Sequence, residues 1–396
     1  MTQSIEKSLL QNFQEYFGES DQPVRLFFAP GRVNLIGEHT DYNGGYVFPA
    51  AITLGTYMAV RKRNDSKYVM KSDNFPGNQV EIDQSLIVND PNDDWGNYPK
   101  GIIKELLELG VPLAGADLLY HGNLPNGAGL SSSASIGMVT AYGLSQLVDF
   151  SISTKELAFL CQRMENRFIG VNTGIMDQTA VGFGKANQAI LLNCKSFELE
   201  MIPLNLGDYK IVITNTNKRR GLADSKYNER RQECEKGLAE LQQVKAGLTC
   251  LGDLSLELFE ELEGTIKEPL IKKRVRHVVT EDNRVLLAAQ YLKEDQLEAF
   301  GQLMIASHLS LRDDYEVTGA ELDALFESQK AAPGCIGTRM TGAGFGGCTV
   351  SLVNSNQLDA FEQQVQEAYF NRTGLTPTFY MCEAGPGVLE LEKQSN

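Results

Sequence analysis

The sequence predicts a protein of mixed helices and strands that folds as two domains. The chain has 396 residues, which is more than one hydrophobic core normally supports. Hydrophobic residues make up 42% of it and charged residues 22%, which is typical of a globular protein. Helical and strand patterns follow one another along the whole chain and are interrupted near residue 205, between two predicted strands. We therefore expect one domain over residues 1–205 and a second over residues 206–396.

The spacing of apolar residues locates the individual elements. Ile5, Leu9 and Phe13 recur at helical spacing and predict an N-terminal helix. Ser153 and Glu156 form a capping-box pattern, which predicts the start of another helix. By the same criteria, the predicted helices are 4–17, 91–109, 154–170, 224–247, 268–293, 296–312, 318–331 and 356–371. The predicted strands are 25–29, 46–61, 66–72, 115–121, 188–194, 198–203, 209–216, 348–353 and 376–383.

Net charge and cysteine usage limit the classes of partner. The 36 Lys and Arg against 51 Asp and Glu give a net charge of −15, which argues against nucleic acid or an anionic membrane as the main partner. No stretch approaches the roughly 18 apolar residues of a membrane span, and the N-terminus lacks the pattern of a secretory signal. The seven cysteines show no CxxC or metal-type spacing, which indicates reduced thiols. We therefore expect a cytoplasmic protein.

Residues Asn126–Ser135, with the sequence NGAGLSSSAS, form the most distinctive stretch of the chain. Its glycines permit backbone angles that other residues resist, and the small residues that follow predict a closely packed helix. A loop that opens a helix favours anions, because free N–H groups and the positive end of the helix point to the same place. No lysine follows the glycines, so this is not a Walker A loop. The stretch predicts a phosphate-binding loop, with a Gly/Ser-rich surface loop as the alternative.

A second stretch, 31–45, is dense in polar side chains of different chemistry. It contains Arg32, Asn34, Glu38, His39 and Asp41 among several glycines. Donors and acceptors crowded on a stiff loop suit a polyhydroxylated ligand, because each hydroxyl needs a partner once water is removed. A simple hairpin turn would not require these side chains together, and no second ligand cluster supports a metal site. We therefore favour a binding site for a small polyhydroxylated molecule.

Four further residues are candidates for which the pattern leaves two interpretations. Asp177 lies in an uncharged, apolar segment, so it is either paired or functional, or caps a turn. Glu165 lies on the flank of an apolar helix stripe, where a surface glutamate is the ordinary interpretation. Trp95, the only tryptophan, is favoured as a core residue beside a helix, with an aromatic platform for a base as the alternative. Tyr227 lies in a basic helix start from which it could reach a ligand.

A third glycine-rich stretch, TGAGFGGC at 341–348, formally matches G-x-G-x-x-G. A dinucleotide-binding fingerprint requires a helix after the glycines, whereas residues 348–353 predict a strand. A Rossmann site is therefore rejected. The remaining interpretation is a loop that lets the backbone approach a phosphate or the Gly/Ser loop.

The three stretches together resemble the GHMP small-molecule kinases, and GRVNLIGEHTDYNGG (31–45) resembles the galactokinase signature within that family. The resemblance covers nearly the whole chain in order and spacing. It implies an α+β, two-domain GHMP kinase fold with the active site in the inter-domain cleft.

The resemblance also implies roles for individual residues. Asp177 matches the catalytic aspartate of the family and Arg32 its partner, and Ser133 and Glu165 match the Mg²⁺ ligands. The positions that match sugar contacts are Glu38, His39, Thr40, Asp41, Gly174 and Tyr227. Those that match the nucleotide loop and pocket are Ser72, Trp95, Gly127, Ala128, Gly129, Leu130, Ser131, Ser132 and Ser133.

The implied reaction is ATP + α-D-galactose → ADP + α-D-galactose 1-phosphate, the first committed step of galactose use by the Leloir pathway. The implied partners are D-galactose and ATP, the cofactor is Mg²⁺, and the chain is expected to act as a monomer. An N-acetylgalactosamine kinase is one alternative. Another is a non-catalytic galactose and ATP sensor, but such sensors lack a Ser-Ala pair that this chain retains at Ser133-Ala134.

Overall fold

Three β-sheets organise the structure, a computed structural model that describes residues 2–125, 129–218 and 223–391. The strands are β1 (Arg25–Asn34), β2 (Tyr46–Val47), β3 (Pro49–Lys62), β4 (Lys67–Ser72), β5 (Gln79–Asp83), β6 (Ala116–Gly122), β7 (Gln188–Asn193), β8 (Glu198–Pro203), β9 (Tyr209–Asn215), β10 (Cys335–Thr341), β11 (Cys348–Asn354), β12 (Thr378–Cys382) and β13 (Leu389–Glu390). The helices are α1 (Thr2–Phe17), α2 (Asn97–Glu108), α3 (Ser132–Leu147), α4 (Thr154–Met164), α5 (Met176–Phe183), α6 (Ala223–Gln242), α7 (Leu256–Leu262), α8 (Pro269–Lys293), α9 (Leu297–Asp313), α10 (Ala320–Lys330) and α11 (Leu358–Thr373).

The first sheet has six strands in the order β13-β1-β3-β6-β4-β5, and the second has four in the order β10-β11-β9-β12. A third sheet joins β2, β7 and β8. In the described residues the strands pair antiparallel, except β4 with β6. Antiparallel sheets that are covered by helices confirm the expected α+β fold. None of the helices in the described ranges is long and apolar enough to cross a bilayer.

The end of β1 meets the Gly/Ser loop. The register between β1 and β3 shifts between Pro30 and Arg32, at Gly31. A side chain on Gly31 would lie 2.6 Å from the Leu130 carbonyl oxygen, so only glycine permits this approach. The backbone N–H of Arg32 then donates to that carbonyl at 3.1 Å. The strand and the loop are thus joined backbone to backbone.

Helix α3 packs its small residues onto the first sheet. The Ser135 hydroxyl donates to the Ala29 carbonyl of β1 at 2.8 Å, which fixes the start of the helix against the strand. Ser131, which precedes the helix, has a left-handed backbone (φ 62°) and makes no capping hydrogen bond through its side chain. The N–H groups of the first turn therefore have no side-chain partner from this residue.

The two halves of the chain share a hydrophobic core. One cluster joins Val33, Leu35 and Phe48 from the first half to Ile213 and Phe300 from the second. After β12 the chain returns to the first sheet, where β13 pairs with β1 and Glu390 forms an ion pair with Arg25 at 2.7 Å. The division into 1–205 and 206–396 stays a prediction. The C-terminal strand β13, although it belongs to the second half of the sequence, is part of the first sheet.

Most predicted elements are confirmed, but several boundaries differ. The predicted helix 91–109 is a 3-10 turn up to Gly96 and an α-helix only from Asn97, and the predicted helix 224–247 ends at Gln242. The predicted strand 46–61 is divided into β2 and β3. β1 continues to Asn34, so Arg32 and Asn34 lie at the end of a strand rather than on a loop. The predicted helix 154–170 is α-helical only to Met164 and continues as a π-helical turn, Glu165–Ile169, that ends at Gly170.

Some helices and strands were not predicted because their sequences do not show a clear helical or alternating spacing of apolar residues. α5 and α7 have 8 and 7 residues, too few to show helical spacing clearly. β10 carries Arg339 and Thr341, which are buried in the structure, so its polar residues do not alternate with apolar ones as in a half-exposed strand. The elements that were not predicted are β5, β10, β13, α5 and α7.

The contact between α9 and β10 gives a stability prediction. A side chain on Gly301 would lie 2.4 Å from the Ile336 carbonyl oxygen, and Gly337 faces Gly301 in the same contact. Alanine at a helix position normally gains about 1 kcal/mol over glycine, but this backbone clash cannot be relieved by a side-chain rotation. We expect Gly301→Ala to lower the free energy of unfolding by about 1–3 kcal/mol in urea denaturation.

Gly264 provides the control. It has no heavy atom within 4 Å of the position of an added side chain. Gly264→Ala should leave the unfolding midpoint unchanged or slightly raised. Equal midpoints for both variants would show that the α9–β10 contact is looser than the structure indicates.

Candidate active site

Two cavities contain most of the candidate residues. The first, the aromatic cavity, has a volume of about 230 Å³ and is lined by Thr56, Ser72, Asn74, Phe75, Asp94, Trp95, Tyr98, Tyr120, Gly122, Leu124, Ser132, Ser133 and Ile136. The second, the acidic cavity, has a volume of about 170 Å³ and is lined by Arg32, Glu38, His39, Asp41, Val171, Thr173, Gly174, Met176, Asp177, Tyr227, Gly342 and Ala343. The first cavity is therefore suited to a flat ring system, and the second to a small polar molecule.

In the aromatic cavity, Trp95 is the core residue that the sequence favoured, and its role as a platform for a base stays a prediction. It is buried in the hydrophobic core of the first sheet, and its ring packs edge-on against Tyr120 at 5.6 Å. It also lines the cavity together with Ser72, and its indole N–H has no hydrogen-bond partner among the described residues. A core tryptophan thus forms one wall of the cavity.

The described part of the Gly/Ser loop borders the aromatic cavity, and its Gly129 carbonyl accepts a hydrogen bond from Arg32 of the acidic cavity. Ser132 and Ser133 line the aromatic cavity at the first turn of α3, and the buried hydroxyl of Ser131 lacks a hydrogen-bond partner among the described residues. Leu130 is buried in the core below. Gly127 and Ala128 lie outside the described residues. Hydroxyls and helix N–H groups that face a cavity make the described part of the loop suitable for an anion.

Arg32 and Asp177 form an ion pair in the acidic cavity. Nε and Nη2 of Arg32 lie 2.9 Å and 2.8 Å from Oδ1 of Asp177. Nη1 of Arg32 donates to the Gly129 carbonyl at 2.6 Å, so one guanidinium joins Asp177 to the Gly/Ser loop. The Arg32 side chain is 5% exposed and that of Asp177 is 28% exposed. The arginine is therefore fixed, whereas the carboxylate faces the cavity.

Glu38 is buried at the wall of the acidic cavity and is held from three sides. Its Oε1 accepts hydrogen bonds from the Gly342 N–H at 2.5 Å and from the Thr341 hydroxyl at 3.1 Å. The Asn34 amide donates to Oε2. Because a carboxylate accepts up to about four hydrogen bonds, Glu38 can still accept one from a ligand hydroxyl.

His39 has both ring nitrogens engaged by the protein. The Ala343 carbonyl, 3.2 Å from Nε2, can only accept, so Nε2 carries the hydrogen and Nδ1 accepts from the Tyr42 hydroxyl at 2.9 Å. Tyr315 and Cys234 extend this chain at 2.8 Å and 3.1 Å. Burial lowers the pKa of His39 to about 3, so the ring is neutral. It joins the loop of residues 37–46 to the third glycine stretch.

Asp41 and Gly174 meet across the acidic cavity. A side chain on Gly174 would lie 1.9 Å from the Asp41 carboxylate, so this position needs glycine. Burial, followed by the negative charge of Asp177, raises the pKa of Asp41 to about 7. Tyr227 closes the cavity with its ring 5.7 Å from that of His39. Thr40, in contrast, is fully buried, and its hydroxyl faces the backbone carbonyls of Gly37 and Tyr46 rather than the cavity.

Glu165 is buried rather than exposed on the surface. Its N–H bonds to the Cys161 carbonyl as in a regular α-helix, so Glu165 lies on the same side of the helix as the buried Ala158 and Cys161. Its side chain accepts a hydrogen bond from the Thr173 hydroxyl at 3.0 Å through Oε2. Burial and the charge of Asp177 raise the pKa of Glu165 to about 7, although the Ser133 hydroxyl nearby favours the charged form. Oε1 is buried without a hydrogen-bond partner among the described residues.

A buried carboxylate oxygen without a partner, next to a serine hydroxyl, fits a divalent cation. Mg²⁺ prefers oxygen ligands and commonly takes only one or two from the protein. No group of three or more His, Cys, Asp or Glu side chains with metal-binding geometry occurs within the described ranges. Ser133 and Glu165 are therefore the pair that fits such an ion, and it would share its remaining positions with phosphate and water.

Some residues at the site were not identified from the sequence. Thr173 and Val171 line the acidic cavity beside the predicted Gly174, and Gly342 and Ala343 reach it from the third glycine stretch. Gly342 also passes close to the Gly/Ser loop, where a side chain would lie 3.2 Å from the Gly129 carbonyl. The glycine pattern predicted this approach to the loop, but not the contact with the acidic cavity, which depends on the packing of β10 against β1.

Comparisons with known proteins agree with this geometry. The galactokinase galactose-binding signature matches residues 11–62, the GHMP kinase N-terminal domain matches 97–185 and the GHMP kinase C-terminal domain matches 288–371. The galactokinase of Halalkalibacterium halodurans is 59% identical over 98% of this chain and 99% of its own length. That of Enterococcus faecalis is 50% identical over 98% of this chain and 100% of its own length.

Solved structures show the same relationship. The crystal structure of Lactococcus lactis galactokinase complexed with galactose matches with a TM-score of 0.94 at 45% identity, over 98% of this chain and 100% of that one. Mevalonate kinase from Methanococcus jannaschii shares the fold, with a TM-score of 0.63 at 20% identity over 92% of this chain and 99% of that one. Galactokinases that are 45–59% identical over 98% of this chain show that it belongs to the galactokinase family of GHMP kinases.

Proposed function

We propose that this chain is an ATP-dependent galactokinase that transfers the γ-phosphoryl group of ATP to the C1 hydroxyl of α-D-galactose. One observation carries the proposal: Arg32 holds the Asp177 carboxylate in the acidic cavity and the Gly129 carbonyl of the Gly/Ser loop with the same guanidinium. This arrangement supports a sugar hydroxyl and a phosphate chain placed on opposite sides of one fixed cation. The relatives named galactokinase over nearly the full chain support the same activity.

The acidic cavity is proposed as the galactose site. Glu38 and Asp41 supply carboxylate acceptors for sugar hydroxyls, and Gly174 lets the backbone pack directly against the Asp41 carboxylate. Tyr227 offers a ring face to the cavity. His39 and Thr40 use their polar side-chain atoms within the protein, so we assign them to shaping the loop that carries Glu38 and Asp41.

The aromatic cavity is proposed as the ATP site. Ser72 and Trp95 would border the base, and the loop at 127–133 would hold the phosphates with its N–H groups and hydroxyls, in keeping with the anion preference of a helix N-terminus. We propose Ser133 and Glu165 as the protein ligands of Mg²⁺, supported by the buried, unpartnered Oε1 of Glu165. When bound, the ion would neutralise charge on the β- and γ-phosphates.

Asp177 is proposed to accept the proton of the C1 hydroxyl as the oxygen attacks the γ-phosphorus. Arg32 keeps Asp177 oriented and ionised, and its charge offsets the negative charge of the transferring group. Phosphoryl transfer requires little covalent chemistry from the protein, so positioning and charge stabilisation supply most of the acceleration.

The setting of the reaction is also part of the proposal. The active site would lie in the cleft between the halves 1–205 and 206–396, because the acidic cavity takes lining residues from both. We further propose a cytoplasmic monomer, on the basis of the reduced-thiol pattern and the complete set of site residues within one chain.

A sugar panel tests the function. Purified protein with ATP and Mg²⁺ should release ADP with D-galactose, and far more slowly with N-acetylgalactosamine or glucose. Faster turnover with N-acetylgalactosamine would assign the chain to that substrate instead. Galactose binding without ADP release would indicate a sensor.

Asp177→Asn tests the proposed base. The amide keeps the shape of the side chain but cannot accept the proton, and a positioned base typically contributes about 10²–10⁴-fold. We expect kcat to fall by about that factor, while galactose binding measured by calorimetry stays close to normal. A near-normal kcat would exclude Asp177 as the base.

Asp41 gives a prediction for pH dependence. Its pKa is raised to about 7, so the carboxylate becomes protonated as the pH falls through 7. A charged acceptor binds a hydroxyl more strongly than a neutral one. We expect KM for galactose to rise between pH 8 and pH 6. Asp41→Asn should have a raised KM for galactose at every pH, without this dependence; an unchanged slope would assign the dependence to another group.

A further inference from the structure

The loop of residues 37–46, which carries Glu38 and Asp41, is held by one turn of α8 from the second half of the chain. Three side chains of this turn reach the loop backbone. His277 donates through Nε2 to the Glu38 carbonyl at 3.1 Å, Glu281 accepts from the Gly37 N–H at 2.9 Å, and Asp282 accepts from the Tyr46 N–H at 2.8 Å.

These three residues are remote in sequence and buried. His277 and Glu281 are fully buried and Asp282 is 6% exposed. His277 and Glu281 are four residues apart, so they lie on one face of the helix. Buried polar side chains that each bond to the backbone of the same loop fix both ends of that loop and the position of Glu38 between them.

His277 and Glu281 are themselves oriented by other side chains. The Glu38 carbonyl can only accept, so Nε2 of His277 carries the hydrogen, and Nδ1 accepts from the Ser310 hydroxyl at 2.9 Å. Glu281 accepts from Ser307 at 2.5 Å and from Arg284 at 2.7 Å. The positive charge of Arg339 lies between Glu281 and Glu38, 4.0 Å and 3.7 Å from their Oε1 atoms.

Two glycines of the loop, Gly37 and Gly45, pack directly against α8. A side chain on Gly45 would lie 2.3 Å from the Asp282 carboxylate. A side chain on Gly37 would lie 2.8 Å from Val285 of the same helix, and its backbone is left-handed with φ +99°. The glycines of the loop and the polar residues of α8 therefore belong to one contact.

We propose that this turn of α8 positions the galactose-binding loop, so that His277, Glu281 and Asp282 set the affinity for the sugar without touching it. The inference rests on the proposed galactokinase function. Release of the loop backbone would let Glu38 and Asp41 move away from the sugar hydroxyls, whereas the Gly/Ser loop and the aromatic cavity would keep their structure.

Asp282→Ala is the direct test, because it removes the acceptor of the Tyr46 N–H. The variant loses one buried hydrogen bond to the loop backbone, and the adjacent loop residues are released with it. We expect KM for galactose to rise about five- to tenfold, with kcat and KM for ATP within about twofold of the starting protein. Asp282→Asn keeps an acceptor oxygen, and Oδ2 has no hydrogen-bond partner among the described residues that it would lose. This conservative variant should recover most of the galactose affinity.

Asn283→Ala is the matched control, since Asn283 is the next residue of the same helix and is exposed. Its kinetic constants should match those of the starting protein. If Asp282→Ala does not fold, Glu281→Gln takes its place: an amide opposite Arg284 disturbs the orientation of residue 281 and should give the same selective rise in KM for galactose.

The outcomes separate the inference from the function. A starting protein without galactose-dependent ADP release would refute the galactokinase function itself. An active starting protein with unchanged KM for galactose in folded Asp282→Ala, or with equal rises in KM for galactose and ATP, would overturn the positioning role alone. A selective rise that Asp282→Asn reverses would support it.

Discussion

The guanidinium of Arg32 is the interaction on which the proposed site depends. It binds the Asp177 carboxylate with two nitrogens and the Gly129 carbonyl with the third, and its backbone N–H is bonded to Leu130. Arginine suits this place because its planar, permanently charged group offers several donors in fixed directions. The strand β1, the Gly/Ser loop and helix α5 are thereby placed around one cation. The proposed base and the proposed phosphate loop cannot move independently of each other.

A second buried cation joins the halves of the chain. Arg339 of β10 is fully buried, donates to the Asn34 carbonyl at 2.9 Å and lies near both Glu38 and Glu281. Removing one member of such a buried pair typically costs about 3–5 kcal/mol, because the remaining charge has no partner. Arg339 thus links β10 to the end of β1 and to the carboxylates of Glu38 and Glu281. The acidic cavity is therefore a product of both halves rather than of the first alone.

The sequence predicted the motifs better than the contacts between them. The stretches 31–45, 127–135 and 341–348 were recognisable because their glycines and polar residues have few other uses. Glu165 was expected at the surface on helical spacing alone, and only the family resemblance marked it as a ligand. The structure buries it on the side of the helix that it shares with Ala158 and Cys161, seven and four residues earlier, so the helical spacing itself allows an inward position. The hydrogen bonds between α8 and the loop of residues 37–46 join residues that are separated by 236 to 244 positions in the sequence, and no local pattern predicts such a pairing.

A structure of the protein with galactose and a non-hydrolysable ATP analogue would test the central claim most directly. We expect the C1 hydroxyl to lie within about 3 Å of an Asp177 oxygen and to face the γ-phosphate, with Arg32 still bonded to both Asp177 and Gly129. A C1 hydroxyl directed away from the γ-phosphate, or an Arg32 that has left Asp177 to bind elsewhere, would contradict it.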